Sequence, residues 1–368
     1  MSSSKLLPVR YPEITCFPYY ADVLSIVGAT SDYYAPWVLS NFIQLSSHPD
    51  HERNGILKLD FFQPWVTWSP FYCPLIDVQI INKEMLHVMN KSDVITFITD
   101  AIDMEFYVHM KVNHKYLPIS RVYQKRDMGH DLLIFGFDKE LRILDVADNF
   151  TGKFEYKKCT FEEFLEAYNH QAITNLGNYE KVLLIKANKT AKYEFDLLKI
   201  ADSLNDFLAS RDTRIRDDQS LTWAGDLTLG INTYDKIIEH LDLLLEGKTF
   251  YDHKPFHVLW EHKRCMVQRI ELMMDKKIIR EQRILASYKE IEDKTLIFRN
   301  IILKYSMKPD PGSIHNLKSE LQAMKLSESA LIHEILEQIQ RNVAQSDQII
   351  LGNNMNANFR WELRAGAR

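Results

Sequence analysis

The chain has 368 residues, close to half of them hydrophobic and about a quarter charged, which fits a water-exposed globular protein with length enough for two domains. A net charge of −5 gives no reason to expect nucleic acid or a membrane surface as the main partner, and an acidic partner would need a local basic patch to dock on. No stretch reaches the ~20 apolar residues of a membrane span, and residues 1–8 lack the apolar run of a secretion signal. Cys16, Cys73, Cys159 and Cys265 show neither a CxxC pair nor the His/Cys spacing of a zinc site. The expectation is a reduced, cytoplasmic protein with no metal and no structural disulfide.

Along the chain, Pro18 suits the first turn of a helix over 19–27, and Gly28 suits its C-terminal stop. Cys16 then stands at a helix start, where free N–H groups and the helix dipole favour a thiolate. Residues 33–45, with Tyr33, Tyr34, Trp37 and Phe42, predict a second, buried helix beginning near Pro36. Residues 57–81 read as irregular strands. There Trp65, Trp68, Phe71 and Tyr72 make an aromatic patch better suited to packing between layers than to a pocket, with Cys73 in the core. Asp93 caps a predicted helix over 93–104, and 106–112 alternates as a strand. His109 and His114 read as structural or solvated imidazoles. Lys115, Arg121, Lys125 and Arg126 then form a local basic region.

Residues 129–138 and 141–149 read as two short strands joined by the tight turn Asp138-Lys139-Glu140. In an antiparallel pair His130, opening the first strand, meets Asp148, closing the second. A carboxylate there fixes the imidazole tautomer and stabilises the imidazolium. Asp145 competes for that role, but alternation puts it on the opposite face. A strand at 154–156, a capping box Thr160-Phe161-Glu162-Glu163 opening a helix to His170, and a buried strand over 181–187 complete this half.

From Tyr193 the texture changes to long amphipathic segments. Helices are predicted over 195–211, 230–245, 255–274, 279–305 and 312–341, the last with a break. The expected organisation is an α+β domain over 1–190, a helical bundle over 191–350 and a tail over 351–368.

A helix-borne cysteine followed by a histidine on a strand and then a carboxylate is the chain order of papain-like folds. In that chemistry Cys16 attacks a carbonyl or thioester carbon, His130 holds and returns the proton, and Asp148 orients His130. The Cys16 backbone N–H is the expected oxyanion donor. The sequence also resembles the family with the butirosin-biosynthesis-H N-terminal domain, papain-like acyltransferases of antibiotic and nonribosomal-peptide clusters. The resemblance runs through Tyr107-Val108-His109-Met110, Tyr116-Leu117-Pro118, His130 to Asp138, Val146-Ala147-Asp148-Asn149-Phe150 and Phe161-Glu162-Glu163-Phe164, and covers about the first half. Pro255 to Lys263 is similar to the helical extension that accompanies this domain.

That resemblance implies an enzyme that takes an acyl group from a carrier-protein thioester and passes it to a small-molecule or peptide amine. Phosphopantetheine would arrive on the partner, and the chain itself would need no cofactor. Cys16, His130 and Asp148 would be catalytic, and Tyr19, Trp37, Asn149, Trp223 and Trp260 would contact substrate. Asp226, Tyr234, His257, Glu261 and His262 are further candidates from the helical half. A cysteine peptidase or amidase, and a catalytically silent binding module, are the competing expectations. No glutamine precedes Cys16 to serve as the usual side-chain oxyanion donor.

Overall fold

A computed structural model describes residues 2–50, 56–62, 73–90, 93–170, 181–213 and 227–353. A short strand, β1 (Ser4–Leu6), leads to helix α1 (Pro18–Thr30), which has Pro18 in its first turn as its fixed φ favours. Phe17 is the N-cap residue, so Cys16 lies one position outside the helix. Gly28 continues the helix instead of stopping it. A glycine stop needs the left-handed conformation, which Gly28 does not adopt, and extended Ser31 is the C-cap.

Helix α2 (Tyr34–Asn41) follows, then β2 (Leu45–Asp50), β3 (Ile56–Phe61) and β4 (Ile76–Asn82). The expected helix to residue 45 is shorter because Leu45 begins a strand paired with Phe61. Helices α3 (Lys83–Asn90) and α4 (Val94–Asp103) come next, and the Asp93 side chain accepts from the N–H groups of Ile95 and Thr96 to cap α4. Strands β5 (Tyr107–Asn113), β6 (Gly129–Asp138), β7 (Ile143–Asp148) and β8 (Glu155–Thr160) then run in succession. Helix α5 (Phe161–Asn169) opens with the capping box, both of its hydrogen bonds made between Thr160 and Glu163. Strand β9 (Lys181–Ala187) closes the first half.

The main sheet is antiparallel, in the order β4-β9-β5-β6-β7-β8, with β1 extending along the far end of β6. Buried Leu132, Leu133, Ile134, Val108, Val146 and Val182 make its two covered faces. The remaining helices are α6 (Leu197–Leu208), α7 (Thr233–Leu245) after the short strand β10 (Thr228–Leu229), α8 (Lys254–Asp275), α9 (Gln282–Met307) and α10 (Pro311–Asn353). Helix α10 is continuous, with no break of the kind the sequence suggested.

The architecture is α+β. Contacts cross residue 190: β10 pairs with β2, which pairs with β3. Fully buried Arg269 of α8 donates to the carbonyls of Leu39 (2.6 Å) and Phe42 (2.8 Å), ends of α2 that have no helical N–H to accept. His262 donates to Ile43 O (2.7 Å). These bonds fix α8 against the N-terminal region, and α8 brings the side chains that meet Cys16. Among the described residues no helix is long and apolar enough to cross a membrane.

Candidate active site

A cavity of about 1260 Å³ opens between α1, the sheet and α8. On α1, Tyr19, Asp22 and Val23 face it at the i, i+3, i+4 spacing of one helical face, with Cys16 just before them. On the sheet, His109 and Lys111 of β5 share a face because they are two residues apart. His109 stands opposite Leu183, and Lys111 opposite Asp131. Lys181 follows one residue beyond the Met110–Val182 pairing, so two lysines lie side by side on neighbouring strands.

The hairpin of β6 and β7 brings His130 and Asp148 together. His130 Nδ1 lies 2.5 Å from Asp148 Oδ2, while Asp145 pairs with Lys158 (2.8 Å) on the other face. Asp148 is fully buried, as is His114. His114 Nε2 stands 3.0 Å from the same Asp148 oxygen, as a close contact and not an aligned hydrogen bond. His114 is held there by a single 3-10 turn after β5 and stacks on buried Phe150 at 5.6 Å. Burial opposes ionisation of Asp148, but the His130 charge and the imidazole contacts outweigh it and hold the carboxyl well below the usual carboxylate range. Burial likewise opposes protonation of His130, and Asp148 reverses it, so the His130 pKa is raised.

His114, His130 and Asp148 each offer a ligand atom within 4.8 Å of the others, the spacing of a metal site. The 2.5 Å contact is instead that of a charge-assisted hydrogen bond. This reads as an oriented imidazole: Asp148 fixes Nδ1 and leaves Nε2 to work.

Cys16 has different company. The residue is 7% exposed, and its backbone N–H donates to Glu261 Oε2 (3.0 Å). Glu261 Oε1 accepts from Thr15 N (2.7 Å) and Thr15 Oγ1 (2.8 Å) and lies 3.1 Å from His257 Nε2. Burial pushes the Cys16 thiol pKa well up, and the carboxylates of Glu261 and Asp60 push it further. The expected lift of a thiolate by the helix dipole is outweighed, because Cys16 precedes the N-cap and faces two negative charges. Among the described residues no hydrogen bond joins Cys16 Sγ to His130.

A second carboxylate–imidazole contact lies in the same cavity. Asp22 is 1% exposed, with Oδ2 3.2 Å from His109 Nε2, and Asp131 stands 3.9 Å from the same nitrogen. Burial pushes the Asp22 carboxyl up to about 7, even with His109 beside it. Burial works against protonation of His109, and the close Asp22 and Asp131 carboxylates raise its pKa despite that. His109 and His114, read from sequence as structural or solvated, thus each contact a buried carboxylate. Spacing along the chain carries no sign of this, because Asp22 and Asp148 are supplied by distant elements.

Of the other expected contact residues, Tyr19, Asn149 and Trp260 line the cavity. Tyr19 donates to Asp60 (2.5 Å), and the Asn149 Oδ1 has no hydrogen-bond partner among the described residues. Arg299 lies over the Trp260 ring at 4.8 Å. Trp37 is a correction: it is 5% exposed, packs edge-on against Phe42 and is absent from the cavity wall, since its face of α2 turns into the core. Tyr234 and His262 are buried among the helices, away from the cavity, while His257 and Glu261 line it. Trp223, Asp226, Trp65, Trp68, Phe71 and Tyr72 lie outside the described residues. All four cysteines are free and buried. No family model matches the chain, and neither does any curated protein.

Proposed function

We propose that this protein is a papain-like cysteine acyltransferase that moves an acyl group from a carrier-protein thioester to an amine, in specialised-metabolite assembly in the cytoplasm. The observation that carries the reading is that Cys16 and His130, which buried Asp148 orients, line one cavity. In the first step the Cys16 sulfur attacks the thioester carbonyl carbon, a new C–S bond forms, and the bond to the pantetheine sulfur breaks. His130 takes the thiol proton and gives it to the departing sulfur. In the second step the amine nitrogen attacks the acyl-Cys16 carbonyl, a C–N bond forms as the bond to the Cys16 sulfur breaks, and the amine proton returns through His130 to that sulfur. Because Cys16 has no hydrogen bond to His130 in this state, the reaction requires the two to approach.

The cations around the cavity support an anionic donor. Lys111, Lys181, Arg121 and Arg126 line it, and none has an acidic partner among the described residues. A net charge of −5 for the chain thus coexists with a local positive mouth, suited to the phosphate of a pantetheine arm and an acidic carrier. A silent binding module is the second reading, favoured by the raised Cys16 pKa. An amidase would use the same residues, but a thioester is the easier electrophile because a thiolate leaves more readily than an amine.

Intact-mass measurement tests the reading. Mixing the protein with an acyl-phosphopantetheine thioester should add one acyl mass, which is absent in Cys16→Ala and released by added amine. Peptide cleavage without acyl capture would favour the amidase, and neither reaction would leave the silent module.

A further inference from the structure

Glu261 has no role in the reaction above, yet it meets the nucleophile more closely than any other ionisable group whose contacts are described. Its carboxylate is 1% exposed and comes from α8, 245 residues from Cys16. It holds three donors of the segment before α1: the N–H groups of Thr15 and Cys16, and the Thr15 hydroxyl. Thr15 and Cys16 precede the N-cap, so these are not helix-terminal amides awaiting any cap. Two consecutive backbone N–H groups aimed at one carboxylate, Thr15 at Oε1 and Cys16 at Oε2, form a cradle for a negatively charged group. One of them, Cys16 N–H, is the donor that acyl transfer needs for its tetrahedral oxyanion.

We propose that Glu261 is a positioning residue that keeps Cys16 latent: its carboxylate occupies the oxyanion position on the Cys16 N–H until a ligand in the cavity releases its contacts. That one charge acts in two ways. A carboxylate on the Cys16 amide excludes a substrate oxyanion by occupancy, and it disfavours a neighbouring thiolate by repulsion. The groups facing Cys16 are Glu261 and Asp60, with Tyr19 bonded to Asp60 and Tyr20 to the Phe61 carbonyl. Asp60 belongs to β3 and is tied to Tyr19 and Lys58, whereas Glu261 is tied to the Thr15–Cys16 segment itself and to His257.

The hold on Glu261 is itself chained outward. His257 Nε2 contacts both Glu261 Oε1 (3.1 Å) and Thr15 Oγ1 (3.2 Å), and Arg299 of α9 reaches His257 Nδ1 (3.3 Å). A donor at Nδ1 leaves the His257 proton on Nε2, directed at Glu261 and Thr15. Arg299 and Trp260 line the cavity, so a ligand that displaces Arg299 from the Trp260 ring loosens the whole chain of contacts. This proposal deepens the acyltransferase reading, but its test reads the thiol and not the transfer.

The experiment is site-resolved alkylation of Cys16 in the full chain at pH 7.5, with neutral iodoacetamide and anionic iodoacetate. In Glu261→Gln the iodoacetamide rate should rise at least about fivefold, and the iodoacetate rate should rise more, because a negative charge has left the anion cradle. His257→Gln, a partly buried site that loosens Glu261 without removing it, should raise both rates less. It carries the test if melting shows that Glu261→Gln does not fold. Rates unchanged in the folded variants, or a rise for iodoacetamide with no added preference for iodoacetate, would overturn the proposal. Faster alkylation without any acyl capture would instead sink the acyltransferase reading and leave the latency standing.

Discussion

Replacing Asp148 by asparagine removes the charge that orients His130 and leaves the shape nearly unchanged. Opposite charges about 4 Å apart attract by about 4 kcal/mol at an effective dielectric of ~20. The His130 side chain is 29% exposed and asparagine keeps a dipole at the site, so the loss should be about 2–3 kcal/mol. That loss lowers the His130 pKa, because the burial that disfavours its protonation is then opposed by Asp131 alone.

The pH dependence has a defined window. The raised His130 pKa stabilises the fold fully below its unfolded value near ~6.5, and that stability fades as pH rises through the higher folded value. The depressed Asp148 pKa stabilises above its unfolded value near ~3.9, and that stability is lost as pH falls through the lower folded value. Wild type and Asp148→Asn should therefore differ most in urea denaturation near pH 5.5 and least near pH 9, with an imidazole NMR titration reporting the fall at His130. An equal stability loss at both pH values, with an unmoved His130 titration, would refute this account of the pair.

Three further outcomes are expected. Lys263→Met should cost about 3–5 kcal/mol by urea denaturation, since Lys263 and Glu328 are fully buried and paired at 2.7 Å; adding Glu328→Gln should recover part of that loss. Gly230→Ala should destabilise by at least about 2 kcal/mol, because φ is +58° and the new Cβ would stand 2.1 Å from Phe207 O. Gly247→Ala, equally left-handed but open, should lose about 1 kcal/mol in the same melting assay. Lys111→Glu with Lys181→Glu should raise the KM for an acyl-phosphopantetheine about tenfold and leave an acyl-N-acetylcysteamine, which has no phosphate, unchanged.

Local signals in the sequence carried furthest where a single turn or strand decides the outcome. Pro18, the Asp93 cap, the Thr160/Glu163 box and the strand at Lys181–Ala187 all stand where their chemistry placed them. The His130–Asp148 contact was legible for the same reason, since a hairpin fixes its own cross-strand neighbours. Strands β1, β2 and β10 were not, because short strands such as Ser4–Leu6 have no period to read and exist only through their partners.

The surroundings of Cys16 depend on contacts across more than two hundred residues. Helix spacing marks Glu261 as a candidate on α8, but nothing local says that it reaches Thr15 and Cys16. The same holds for Asp22 with His109 and Asp148 with His114, pairs that only the packing of α1 and the turn after β5 create. Trp37 failed in the opposite direction: aromatic residues serve cores and pockets alike, and which way α2 turns is set by Arg269 capping its end.

The rate at which Cys16 is acylated by an acyl-phosphopantetheine, compared between wild type and His130→Gln, tests the central proposal most directly. If His130 is the base for Cys16, single-turnover capture followed by intact mass should slow by about 100-fold or more in the variant. Equal rates in a folded His130→Gln protein would separate the cysteine from the imidazole and contradict the account.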